Sequence, residues 1–81
     1  MYYVIDITDR WGVDSFILLV CTSEEVTKNI IKQYRDVKGT KLSSFTEEIG
    51  HLAKELKITT NELHTYLKDG WEIYYQKVNG Y

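Results

Sequence analysis

Residues 49–70 read IGHLAKELKITTNELHTYLKDG. Ile49, Leu52, Ala53 and Leu56 recur at helical spacing and make one buried face, with Phe45 ahead of them. The preceding Ser44-Phe45-Thr46-Glu47 fits a capping box, in which the serine oxygen and the glutamate each satisfy an orphan backbone N–H. Thr59-Thr60-Asn61-Glu62 repeats that signal and opens a further helix, with Leu63, Tyr66 and Leu67 inward. Asp69-Gly70 stops it. Two helices this close in sequence force the chain to bend sharply between Leu56 and Thr60.

Working outward, Tyr2 to Ile7 is rich in aromatic and β-branched residues and reads as a strand. Thr8 to Asp14 is a turn region, with Gly12 able to take a positive φ. Phe16 to Cys21 (FILLVC) is apolar on both alternating faces. Such a strand is covered on both sides, or covered on one and paired in an oligomer. Together the two segments predict an antiparallel hairpin. A helix then starts at Thr22 or Ser23, with Glu24 and Glu25 favourable beside its N-terminus. Val26, Ile30, Ile31, Tyr34 and Val37 form its apolar side, Lys28, Lys32 and Arg35 its polar side, and Gly39 its end. After residue 70, Trp71, Ile73 and Tyr75 alternate with Glu72, Tyr74 and Gln76, marking a half-buried third strand before the Asn79-Gly80 turn signal. The expected order is β-β-α-α-α-β. This is an α+β fold, a three-stranded antiparallel sheet with three helices packed largely on one face. No linker or repeat interrupts it, so residues 1–81 read as a single domain.

Composition narrows the class. A charged fraction of 27% and a hydrophobic fraction of 43% fit a globular chain and exclude a collagen-like or disordered one. The longest apolar run, Phe16 to Cys21, is far short of the ~20 residues of a spanning helix. Membrane insertion is therefore not expected. No signal-peptide pattern precedes the first strand, and the single cysteine, Cys21, cannot build a disulfide framework. Both point to a reducing, cytoplasmic setting. At 81 residues a lone core is marginal, which makes a homodimer or a bound partner an expectation. The net charge of −2 is unevenly spread. Residues 1–25 carry five acids against Arg10. Residues 26–41 carry Lys28, Lys32, Arg35, Lys38 and Lys41 against Asp36. A basic stripe of that kind can touch phosphate, an acidic protein face, or only water.

Residues 49–70 resemble a helix-turn-helix. Ala53 is the small residue where the two helices approach, Ile58 plugs the corner, and Leu63 and Leu67 anchor the second helix. The resemblance implies that the helix from Thr60 to Lys68 is a recognition helix. Thr60, Asn61, His64, Thr65 and Lys68 would then face double-stranded DNA, with Lys54 and Lys57 near the phosphates. Lys28, Lys32, Arg35, Lys38 and Lys41 would hold further phosphates. Two features depart from that pattern. Lys57 stands where the unit usually has glycine, at a cost of about 1 kcal/mol if φ is positive. Glu55 and Glu62 lie on or beside the proposed contact surface, where carboxylates oppose phosphate. The whole layout is also similar to small accessory proteins of bacteriophages and mobile elements. Together with the helix-turn-helix, that likeness implies first a DNA-binding transcription regulator, acting as a dimer, and as the alternative an inhibitor or adaptor that binds a host protein such as a defence nuclease, in the manner of anti-CRISPR proteins, through its tyrosine-rich sheet.

The remaining chemistry is sparse. There is no Gly-rich phosphate loop and no G-x-S-x-G elbow. Glu48 and His51 form one E-x-x-H pair, whereas a di-metal bundle needs two. Cys21 has no cationic sequence neighbour to activate it. No enzyme, cofactor or metal site is expected. The aromatic residues are more informative. Seven tyrosines and two tryptophans are too many for so small a core. Tyr2, Tyr3, Tyr74 and Tyr75 lie in the terminal strands, so each adjacent pair puts one ring on either sheet face. Trp11 sits at the hairpin tip. These five are the candidate protein-binding residues, since Tyr and Trp give large, stiff contact area.

Overall fold

The computed structural model describes residues 1–39 and 47–79. Along the chain run β1 (Tyr2–Thr8), β2 (Ser15–Cys21), α1 (Glu24–Lys38), α2 (Glu47–Leu56), α3 (Thr60–Lys68) and β3 (Glu72–Val78). The three strands form one antiparallel sheet in the order β2-β1-β3. The expected α+β arrangement is therefore the observed one. Lys41, Ser44, Phe45 and Gly80 lie outside the described residues.

Strand alternation decides what the sheet buries. Tyr3, Ile5 and Ile7 of β1 point to one side, with Ile73 of β3 beside Ile7. On them pack Ile30, Ile31 and Tyr34 of α1, Ile49, Leu52, Ala53 and Leu56 of α2, and Leu63 and Leu67 of α3. All three helices thus cover the same face. β2 departs from strict alternation. Ile5 pairs with Leu19 but Asp6 pairs with Ile17, which leaves Leu18 as the extra residue of a β-bulge. The bulge lets both Leu18 and Leu19 pack against the core. This is how a strand apolar at every position fits a sheet covered on one side only.

α1 starts at Ser23, whose hydroxyl accepts the Val26 N–H at 3.3 Å. Its buried stripe is Thr27, Ile30, Ile31 and Tyr34. Val26, expected inside, is 48% exposed. Thr27 takes the inward place because its hydroxyl donates to the Ser23 carbonyl at 2.8 Å and so enters the core already satisfied. Tyr34 is fully buried and donates its hydroxyl to the Trp71 carbonyl at 2.7 Å, which ties α1 to the head of β3. Burial foremost, then the nearby Glu72 charge, push the Tyr34 phenol well above its ordinary pKa.

Candidate functional site

The α2–α3 corner spans only residues 57–59. The Ile58 N–H donates to the Ala53 carbonyl at 3.0 Å and the Lys57 N–H to the Lys54 carbonyl at 3.2 Å. This is the Schellman pattern, which requires a left-handed residue at the position Lys57 occupies. Lys57 has φ 58° and is the one non-glycine residue with positive φ among those described. α3 ends the same way, with Trp71 N–H to Tyr66 carbonyl at 3.0 Å and Gly70 at φ 79°. At the start of α3 the Thr59 hydroxyl accepts the Glu62 N–H at 3.0 Å, and the Glu62 carboxylate accepts the Thr59 N–H at 3.4 Å. The capping box is complete.

On α3, Asn61, Thr65 and Lys68 are exposed, whereas Thr60 and His64 are half-buried. The Thr65 hydroxyl is committed to the Asn61 carbonyl at 2.9 Å. Asn61, Glu62, Thr65 and Tyr66 line a shallow groove of about 260 Å³. Lys54 and Lys57 are exposed. Across residues 47–69 the cations Lys54, Lys57 and Lys68 are outnumbered by Glu47, Glu48, Glu55, Glu62 and Asp69. His51 contacts Glu55 at 2.8 Å.

The α1 stripe looks elsewhere. Lys28, Lys32 and Arg35 line a groove of about 400 Å³ with Ile31, Asp36 and Tyr75, over the β3 edge. α3 instead sets Tyr66 against Phe16 of β2, on the opposite edge strand, with ring centroids 5.8 Å apart. Much of the stripe is also spoken for. Lys28 pairs with Glu24 at 2.9 Å, and this hydrogen bond lowers the Glu24 pKa and raises that of Lys28. Lys38 pairs with Glu72, and Arg35 reaches the Ile73 carbonyl at 3.5 Å.

The face of the sheet opposite the helices carries Tyr2, Val4 and Asp6 of β1, Ile17 and Val20 of β2, and Tyr74, Gln76 and Val78 of β3. No described helix covers it. Ile17 is 61% exposed, Val20 54% and Tyr74 50%. At its centre Gln76 donates to the Asp6 carboxylate at 3.3 Å. Among the described residues neither lysine nor arginine lies on this face.

The hairpin loop between β1 and β2 presents a further exposed aromatic residue. The Asp9 carboxylate accepts the Val13 N–H at 2.8 Å, the Asp9 N–H donates to the Asp14 carbonyl at 2.9 Å, and Gly12 takes φ 70°. This bonded loop holds Trp11 75% exposed, with the Arg10 guanidinium 5.3 Å from the ring centroid. Arg10 also donates to the Asp69 carbonyl at 2.9 Å, which anchors the loop to the end of α3.

Of the candidate protein-binding residues, Tyr2 and Tyr74 stand on the open face and Trp11 is exposed on the hairpin loop. Tyr3 does not. It points to the helices, is 6% exposed, and donates to Glu24 at 3.1 Å. Tyr75 shares that side and floors the α1 groove. Sequence reading missed Ile17, Val20 and Val78, because their exposure depends on which side the helices pack and on the Leu18 bulge. Cys21 is a half-buried free thiol. Among the described residues no group of three His, Cys, Asp or Glu side chains could hold a metal ion. No described helix is long and apolar enough to cross a membrane. The chain matches no family model, no curated protein and no solved structure.

Proposed function

We propose that this protein is a binding module that docks onto another protein through the open face of its sheet and the Trp11 loop, as an inhibitor or adaptor of the accessory kind its layout resembles. The observation that carries the reading is the exposed Tyr2, Ile17, Val20, Tyr74 and Val78 on the one sheet face that no described helix covers. Contiguous apolar surface rimmed by polar groups is the mark of an interaction site. Charge narrows the partner. The face bears Asp6 and, among the described residues, neither lysine nor arginine, so a complementary surface supplies apolar contacts around a lysine or arginine. A host protein that handles nucleic acid, such as a defence nuclease, presents surfaces of that sign.

The test is photo-crosslinking in a bacterial lysate, with a photoreactive residue placed at Tyr74 or at Lys54 on the helix layer. A discrete adduct from position 74 and none from 54, lost when Trp11→Ala is added, supports the reading. Equal labelling from both positions, or from neither, removes it.

A second reading, a DNA-binding regulator, rests on the Lys57 corner and on the exposed Asn61, Thr65 and Lys68. Against it stand Glu62 at the head of α3 and the excess of acids over residues 47–69. Fluorescence anisotropy with duplex DNA at low salt decides. Binding that weakens steeply as salt rises and falls further in Lys68→Ala supports the regulator, and no binding at the lowest salt excludes it.

A further inference from the structure

The helix layer does not close completely over β3. Ile73 is fully buried on the helix side, but Tyr75, two residues on along that same side, is 37% exposed. Tyr3 braces its ring, with centroids 6.5 Å apart and a tilt of 53°. Toward this ring α1 presents long cations instead of apolar side chains. Lys28, Lys32 and Arg35 stand at i, i+4 and i+7, so they form one row along roughly 10 Å of helix. All three are exposed, and with Ile31 and Asp36 they line the groove of about 400 Å³ that includes Tyr75. Lys77, cross-strand from Tyr3, lies on the same side of β3.

We infer that this groove binds single-stranded nucleic acid, with a base stacked on Tyr75 and the adjoining phosphates held by Lys28, Lys32 and Arg35. Two steps narrow the ligand. Lys28, Lys32, Arg35 and Lys77 outnumber the carboxylates beside them, Glu24 and Asp36. The groove therefore favours an anion although the whole chain is weakly acidic. The exposed ring then separates one anion from another. An acidic peptide uses the cations and leaves the ring idle, and a duplex keeps its bases stacked on one another. An unpaired base beside a phosphodiester uses both. The cations are also available. Lys32 makes no ion pair with another described residue. The Lys28–Glu24 pair is about half exposed on both sides, so it exchanges readily for a phosphate. Arg35 uses one N–H on the Ile73 carbonyl, and the rest of its fork suits a phosphodiester. Stacking and charge do not depend on the sugar, so DNA and RNA strands share this chemistry. The groove lies on the helix side of the sheet, so the inference does not rest on docking through the opposite face.

Fluorescence anisotropy of the purified chain with labelled oligothymidylate and oligouridylate, over a salt series, tests it. Competitors are a duplex of equal length and a polyglutamate peptide. The expected result is binding of at least one strand, weaker as salt rises, that the unlabelled strand reverses and neither competitor does. The tighter of the two strands names the source. Tyr75→Leu keeps an apolar floor and should weaken binding about tenfold. Lys32→Glu, at an exposed helix position, should weaken it further, with circular dichroism confirming that both variants fold. Asp36→Asn removes a carboxylate from the groove wall and should tighten binding, an effect that a merely structural role for the groove would not give. Lys54→Ala on α2 should change nothing. No binding of either strand at the lowest salt overturns the inference, as does binding that Tyr75→Leu leaves intact. Equal displacement by polyglutamate assigns the groove to an acidic protein segment and overturns it, and equal displacement by the duplex overturns it too. Crosslinking from position 74 reads the opposite face, so the two proposals fail separately.

Discussion

The two faces of the sheet share the same strands but use their residues differently. On the helix side Ile5, Ile7 and Ile73 are fully buried, and on the other side Ile17, Val20 and Tyr74 are about half exposed or more. Apolar residues therefore do not carry one meaning in this chain: on one side they hold the fold, and on the other they are free for contact. The sharpest way to break that distinction is by truncation. Ile5→Ala, in the middle of the core, should cost roughly 2–5 kcal/mol of unfolding free energy. Ile17→Ala should stay within about 0.5 kcal/mol, as surface changes do. Urea denaturation of both measures the contrast, and equal losses would mean that the open face is also part of the core.

The next effect probes the bond that locks α1 to the head of β3. Tyr34→Phe keeps the ring and removes the hydroxyl, leaving the Trp71 carbonyl without its donor. The loss should be about 1–3 kcal/mol at neutral pH. The variant also changes the alkaline limit of stability. The folded phenol has a raised pKa, so the native state holds this proton more tightly than the unfolded chain. Stability from Tyr34 is therefore complete below the ordinary phenol pKa of ~10 and falls as pH rises above it. Tyr34→Phe should remove that share of the alkaline decline, and thermal melts on both sides of the ordinary value read it directly. Tyr74→Phe on the open face should leave the midpoint at neutral pH unchanged.

The helix layer was legible because its signals are local. The Thr59–Glu62 box, Gly70, and the spacing of Leu52, Ala53, Leu56, Leu63 and Leu67 each state their own structure within one or two turns. The Lys57 corner could be read for the same reason, since a helix that ends there needs a left-handed residue. The open face was only partly legible. Alternation placed Tyr2 and Tyr74 opposite Tyr3 and Tyr75, but which pair met the helices depends on non-local packing. In FILLVC every position is apolar, so nothing in the run itself locates the bulge or shows that Ile17 and Val20 stay outside. The basic stripe had a similar fate. Its spacing on α1 is visible, but its pairing with Glu24 and Glu72 joins residues up to 34 positions apart.

The smallest effect separates fold strength from binding. α2 and α3 end in the same hydrogen-bonded motif, yet one uses Lys57 and the other Gly70 for the left-handed position. A side chain there crowds its own carbonyl, and glycine avoids this while giving up backbone entropy on folding. Lys57→Gly should thus raise stability by roughly 0.5–1 kcal/mol. The reverse change, Gly70→Ala, should lower it, because an added Cβ would also lie 3.2 Å from the Arg10 guanidinium. If the open face is the working surface, Lys57→Gly strengthens the helix layer and leaves crosslinking from position 74 unaltered. If α3 reads DNA, the same substitution deletes a cation at the corner and weakens binding at low salt. One variant with two readouts therefore assigns function to one side of the sheet or the other.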